Sequence, residues 1–81
     1  MYYVYLLKSE KDGRAYIGFT ANLRRRFEEH NSGASIATRN KRPWKLIYYE
    51  AYLTASLAMR REKQLKRFAK VYMMLKRRIG L

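Results

Sequence analysis

From Met1 to Leu7 the chain carries no charged side chain and interleaves tyrosines with aliphatics. An extended backbone there sets Tyr3, Tyr5 and Leu7 on one side and Tyr2, Val4 and Leu6 on the other. Both sides are apolar enough to be at least partly covered, which predicts a strand packed on two faces. The polar run Ser9 to Arg14 contains Asp12-Gly13, a strong hairpin-turn pair, and strand character resumes over Ala15 to Gly18. With Leu7 and Arg14 near the closed end of this hairpin, Tyr5 is expected opposite Tyr16, two phenols side by side on one face.

At Leu23 the spacing of apolar positions changes to that of a helix, expected over about Leu23 to Asn31. Leu23, Arg26, Phe27 and His30 share one side, while Arg24, Arg25, Glu28 and Glu29 point elsewhere. Thr20 and Asn22 offer side-chain oxygens to the orphan amides at its start. Asn31 to Pro43 reads as a connection long enough to be functional, and Lys45 to Tyr52 as a third strand. Thr54 suits the cap of a helix running to about Phe68, and a further helical stretch from about Lys70 to Ile79 stops at Gly80. On the first of these Ala58, Leu65 and Ala69 mark the apolar stripe. Glu62 lies inside that stripe, where a carboxylate needs a cation or an arginine to offset its desolvation. The elements predict an α+β fold: a small three-stranded antiparallel sheet, the N-terminal hairpin plus the later strand, flanked by about three helices that are expected on one face.

Eighty-one residues predict one domain spanning 1–81, without a second domain or a large enclosed pocket. There is no cysteine, so neither a disulfide framework nor a cysteine zinc site holds the fold together. The N-terminal run lacks a leading basic region and nowhere do about 18 apolar residues follow one another, so the expectation is a soluble, untargeted, cytoplasmic protein with no membrane partner. Charge changes the picture most. Nineteen Lys plus Arg against 6 Asp plus Glu give a net +13, and from Arg60 onward nine cations face the single acid Glu62. Such a field attracts polyanions, which makes nucleic acid the expected partner; charge does not choose between the two polymers, and DNA is expected ahead of RNA. The residues expected to bind it are Arg39, Lys41 and Arg42 in the connection and Arg61, Lys66 and Lys70 on the C-terminal helices. Contacts of that kind go to phosphates and give affinity without sequence choice.

Taken singly, a strand tyrosine, a helix-rim arginine, a lone histidine and a glutamate on a basic helix all have ordinary structural roles. Together, Tyr5, Tyr16, Arg26, His30 and Glu62 supply what phosphodiester cleavage needs. The attacking water requires a base or an orienting acceptor, the phosphorus requires positive charge, and a hard cation on carboxylate oxygen stabilises the leaving oxygen. One carboxylate suits Mg²⁺ or Mn²⁺, which keeps most of its waters and takes substrate phosphate as a ligand. One histidine and no cysteine exclude a metalloprotease zinc site, and neither G-x-S-x-G nor G-x-x-x-x-G-K-[ST] occurs.

Over essentially its whole length the chain resembles the GIY-YIG endonuclease superfamily, and more closely the small stand-alone branch of that family. Tyr3-Val4-Tyr5 occupies the place of the first signature and Tyr16-Ile17-Gly18 matches the second, with Arg26, His30 and Glu62 following in order. The resemblance implies a metal-dependent cut of a nucleic-acid phosphodiester that leaves a 5′-phosphate and a 3′-hydroxyl; the expectation is a structure-preferring or weakly specific nuclease linked to DNA repair or processing. It also implies Glu62 as metal ligand, Arg26 as the clamp on the scissile phosphate, Tyr5 as the residue that orients or deprotonates water, Tyr16 as its partner and His30 as proton acceptor or relay. The chain departs from the family pattern at Tyr3, Val4, Phe19 and Met74, the last standing where several nuclease relatives carry an asparagine. The alternative is a basic nucleic-acid-binding module with little chemistry.

Overall fold

A computed structural model describes Met1–Leu81. Two strands, β1 (Tyr2–Ser9) and β2 (Ala15–Thr20), lead into helix α1 (Leu23–Ser32). A short 3-10 turn (Arg39–Lys41) precedes β3 (Trp44–Tyr52), and α2 (Ala55–Arg67) and α3 (Ala69–Ile79) close the chain. The three strands form one antiparallel sheet in the order β2-β1-β3, so the α+β fold is the one the sequence pattern predicts. The expected caps are present: Asn22 accepts from the Arg25 amide and Thr54 from the Leu57 amide. Gly33 and Gly80 end α1 and α3 at φ of 88° and 80°, the left-handed conformation that glycine adopts without strain.

The hairpin register differs from expectation by two residues. Leu7 pairs with Tyr16 and Tyr5 with Gly18. The cause is Ser9, which is buried and whose hydroxyl accepts from the amides of Lys11 and Asp12, while its own amide donates to the Arg14 carbonyl. The turn therefore closes at Ser9 rather than near Leu7. An even shift keeps side chains on their faces, so Tyr16 stays on the Tyr5 side, diagonal to it instead of opposite.

The helices do not share one face, as the sequence pattern led us to expect. Val4 packs with Ala58, Leu65 and Leu75 of α2 and α3, joined by Ile17, Phe19 and Val71. On the opposite face Tyr5, Leu7 and Trp44 pack with Leu23 and Phe27 of α1, and with Tyr16 and Leu46. The sheet is thus sandwiched, which is why both parities of β1 are apolar: Val4, Tyr5, Leu6 and Leu7 are all buried. Between Leu6 and Leu7 the pairing partner jumps from Tyr48 to Leu46, a bulge that lets β3 present Leu46 to the α1 face while Tyr48 faces α2.

Glu50 anchors α2 to this frame. Its carboxylate receives the Tyr48 hydroxyl at 2.7 Å and the Tyr52 hydroxyl, while Arg61 donates from Nε and from a terminal nitrogen at 3.0 Å each. No helix is long and apolar enough to cross a membrane.

Candidate active site

Tyr5 is the centre of the site, and Gly18 is what lets it lie there. A Cβ built on Gly18 would stand 2.2 Å from both Cζ and Oη of Tyr5. The phenol therefore lies across the β2 backbone at the one position of that strand without a side chain. This assigns a packing reason to the glycine of Tyr16-Ile17-Gly18 that is independent of any resemblance.

The Tyr5 hydroxyl lies 2.7 Å from His30 Nε2, and His30 Nδ1 lies 2.7 Å from the Thr38 hydroxyl. All three residues are buried, with His30 fully so. Burial, reinforced by the Arg26 charge, pushes the His30 pKa down to about 4, so the ring is neutral at physiological pH. Burial likewise pushes Tyr5 up to about 12; the neighbouring Arg26 guanidinium opposes that rise, and Tyr16 and Glu62 add to it. A phenol so placed is a poor base until more positive charge reaches it.

Arg26 projects from α1 beside this chain, held by Glu29 at 3.0 Å and touching the Ser35 hydroxyl at 3.4 Å. Tyr16 sets its ring edge-on to His30 at a centroid distance of 5.0 Å and 6.5 Å from that of Tyr5. Its other neighbour is α2: the Lys66 ammonium stands 5.9 Å from the Tyr16 ring centroid and 3.1 Å from Glu62 Oε2. The cationic partner that Glu62 calls for is thus Lys66 rather than an arginine. Glu62 opens onto a groove along α2 lined by Ser56, Arg60, Lys63 and Lys66 among others. The sequence-derived set comes from β1, β2, α1 and α2: Tyr5, Tyr16, Arg26 and His30 lie beside one another, and the Glu62 charge is near enough to act on Tyr5.

The chemistry of the donors bears on a metal. No three His, Cys, Asp or Glu side chains converge anywhere, so the chain builds no closed cage of its own. A single carboxylate on an open groove fits Mg²⁺ or Mn²⁺, whose remaining ligands come from water and phosphate. The Lys66 pair is half exposed on the lysine side and therefore weak, so a cation can displace it.

The residues expected to bind nucleic acid fare differently. Arg39 and Lys70 are exposed and make no ion pair, Arg42 donates to the Arg39 carbonyl, and Lys41 pairs with Asp12 at 3.0 Å. Arg61 is taken up by Glu50, inside the fold. Of the aromatic residues that could stack on bases, Trp44 is buried with its ring nitrogen on the Thr38 carbonyl, and Tyr48 is bound to Glu50. Tyr49 remains exposed, edge-on to Tyr3. Met74 is 57% exposed on α3. Sequence reasoning missed Thr38 and Glu50. Glu50 left a signal, since Tyr48-x-Glu50-x-Tyr52 in a strand sets two phenols and a carboxylate on one face. Thr38 left none, because an irregular loop brings it to His30.

The family model described as the GIY-YIG catalytic domain matches residues 1–74. A UPF0213 protein of Staphylococcus haemolyticus is 40% identical over 70 residues, which is 85% of this chain and 84% of that protein. One from Syntrophus aciditrophicus is 39% identical over 70 residues, covering 84% and 79%. Among solved structures, the solution NMR structure of a UPF0213 protein from Bacillus halodurans aligns with 99% of this chain and 88% of its own, at a TM-score of 0.60 and 32% identity.

Proposed function

The chain belongs to the GIY-YIG family, and on that footing we propose that it is a metal-dependent endonuclease. It cuts nucleic acid, DNA ahead of RNA, and leaves a 5′-phosphate and a 3′-hydroxyl. The observation that carries this reading is the buried contact of 2.7 Å between Tyr5 Oη and His30 Nε2, beside Arg26 and facing the one carboxylate of α2. A hydrogen-bonded phenol next to a guanidinium is an arrangement for handling a proton beside a phosphate, and packing alone does not call for it.

Arg26 binds the non-bridging oxygens of the scissile phosphate and stabilises the charge that grows on them as the phosphorus becomes five-coordinate. Tyr5 gives up its own proton to solvent as positive charge gathers beside it, and the phenolate then orients the attacking water and takes that water's proton as the new P–O bond forms. The bond to the 3′ oxygen breaks and that oxygen takes up a proton from solvent. His30 holds the phenol in place through its hydrogen bond, and Tyr16 wedges the imidazole edge-on. Glu62 would hold the divalent ion, which when bound supplies positive charge to the leaving oxygen and lowers the cost of ionising Tyr5. The exposed cations Arg39 and Lys70, with Arg42, Lys41 and Lys66 once released from their partners, hold the backbone either side of the cut. Arg61 contributes field rather than contact. The protein works in the cytoplasm, with residues 1–81 forming one nuclease domain.

A second reading is favoured by one observation: Glu62 is already neutralised by Lys66, as in a basic module that binds nucleic acid without cutting. The test is cleavage of labelled single-stranded, duplex and branched DNA and RNA with Mg²⁺, with Mn²⁺ and with chelator. Cutting that chelator abolishes, yielding 5′-phosphate ends, is expected. Binding to every substrate without cleavage under any metal would replace the nuclease by the binding module.

A further inference from the structure

Three hydroxyl or ring hydrogens are available to the buried chain Tyr5–His30–Thr38, but a neutral imidazole carries one of them and the chain has two links. Only one of the two hydroxyls can therefore donate to the ring. The other must point its hydrogen elsewhere. The two ends differ in what they offer. Thr38 is 1% exposed, and its hydroxyl has no hydrogen-bond partner except His30 Nδ1. Turned away from the ring, the threonine hydrogen would be buried without an acceptor. The Tyr5 hydroxyl, at the other end, is also buried, but it stands near two groups that can accept a hydrogen, the Tyr16 hydroxyl and the Glu62 carboxylate, with the Arg26 guanidinium beside it as a donor.

We propose that Thr38 is a positioning residue that fixes His30 as the Nε2–H tautomer: Thr38 donates to Nδ1, Nε2–H donates to Tyr5 Oη, and the proton of Tyr5 turns away from the ring, toward Tyr16 and Glu62. The inference deepens the nuclease reading and rests on it for its catalytic meaning. Under this arrangement His30 is a donor to the Tyr5 oxygen and does not accept its proton. When Tyr5 loses its proton, the oxygen is met by the imidazole N–H on one side and the Arg26 guanidinium on another, and both favour the ionised form. Thr38 is itself held in place from behind: Trp44 Nε1 donates to its carbonyl at 2.9 Å, and Asn31 exchanges hydrogen bonds with the Trp44 backbone. The connection between α1 and β3 thereby sets the hydrogen-bond direction at a tyrosine thirty-three positions away in sequence.

His30 is the single histidine, so its ring nitrogens can be read without ambiguity in a long-range ¹H–¹⁵N spectrum of the whole protein at neutral pH, with no substrate present. The expected result is the Nε2–H tautomer in the wild type and in Thr38→Ser, and its loss in Thr38→Val. Single-turnover cleavage is expected to fall about tenfold in Thr38→Val with KM unchanged, and to recover in Thr38→Ser. An Nδ1–H tautomer in the wild type overturns the proposal, whether or not Thr38→Val folds. A tautomer that Thr38→Val leaves unaltered overturns it as well. Neither result depends on cleavage, so a protein that cuts nothing refutes the nuclease reading while the tautomer assignment is decided separately.

Discussion

Tyr5 and Gly18 show how a single residue pair constrains the site. Gly18→Ala puts a methyl group where the Tyr5 ring lies, and backbone on one side and the buried His30 contact on the other leave the ring little room to move. Overpacking of this kind costs about 1–3 kcal/mol. The variant is expected to unfold at correspondingly lower denaturant concentration and to lose cleavage more than its stability loss explains. His30 gives a second prediction. Its folded pKa, about 4, lies below the unfolded value near 6.5, so between those values the unfolded state binds more protons. The contribution of His30 to stability is complete above about pH 6.5 and is lost as pH falls from there toward 4, on the order of 3 kcal/mol in all. Denaturant unfolding of wild type and His30→Gln across that range should show the wild-type advantage shrinking with acid; parallel curves would refute it. Much at this scale was legible in sequence, since Tyr5, Tyr16, Arg26 and His30 fall at positions whose faces follow from strand and helix periods. Thr38 was not, because no period governs an irregular connection.

Among the elements, α2 carries Glu62, the carboxylate on which the proposed chemistry depends, and its rotation about its own axis is set next door. Arg61 precedes Glu62 and is gripped by Glu50 of β3, with side chains only 21% and 13% exposed. Breaking that grip leaves a partly buried charge without its partner, at a cost of about 2–4 kcal/mol. A double-mutant cycle with Glu50→Gln and Arg61→Met should give a coupling above about 1 kcal/mol; additive effects would show that the pair does not hold the helix. The strands, helices and caps were readable because hydrophobic period, Asn22, Thr54 and Gly80 agree with one another. The hairpin register and the two-faced sandwich were not. Ser9 extends the hairpin through side-chain bonds to turn amides, which composition does not announce, and a hydrophobic period says that a position is buried but not which layer covers it.

At the scale of the whole molecule, a net charge of +13 attracts nucleic acid to the surface, and the proposed function has its backbone pass Glu62 in the groove along α2. That charge was plain from composition, and it separates binding from chemistry: removing one acid from so basic a protein leaves its attraction to phosphates intact. The most direct test of the account is therefore Glu62→Ala, measured against wild type for both binding and single-turnover cleavage in Mg²⁺. The account predicts binding at least as tight as wild type with cleavage reduced by a factor of about a hundred or more. Cleavage by Glu62→Ala at the wild-type rate would contradict it.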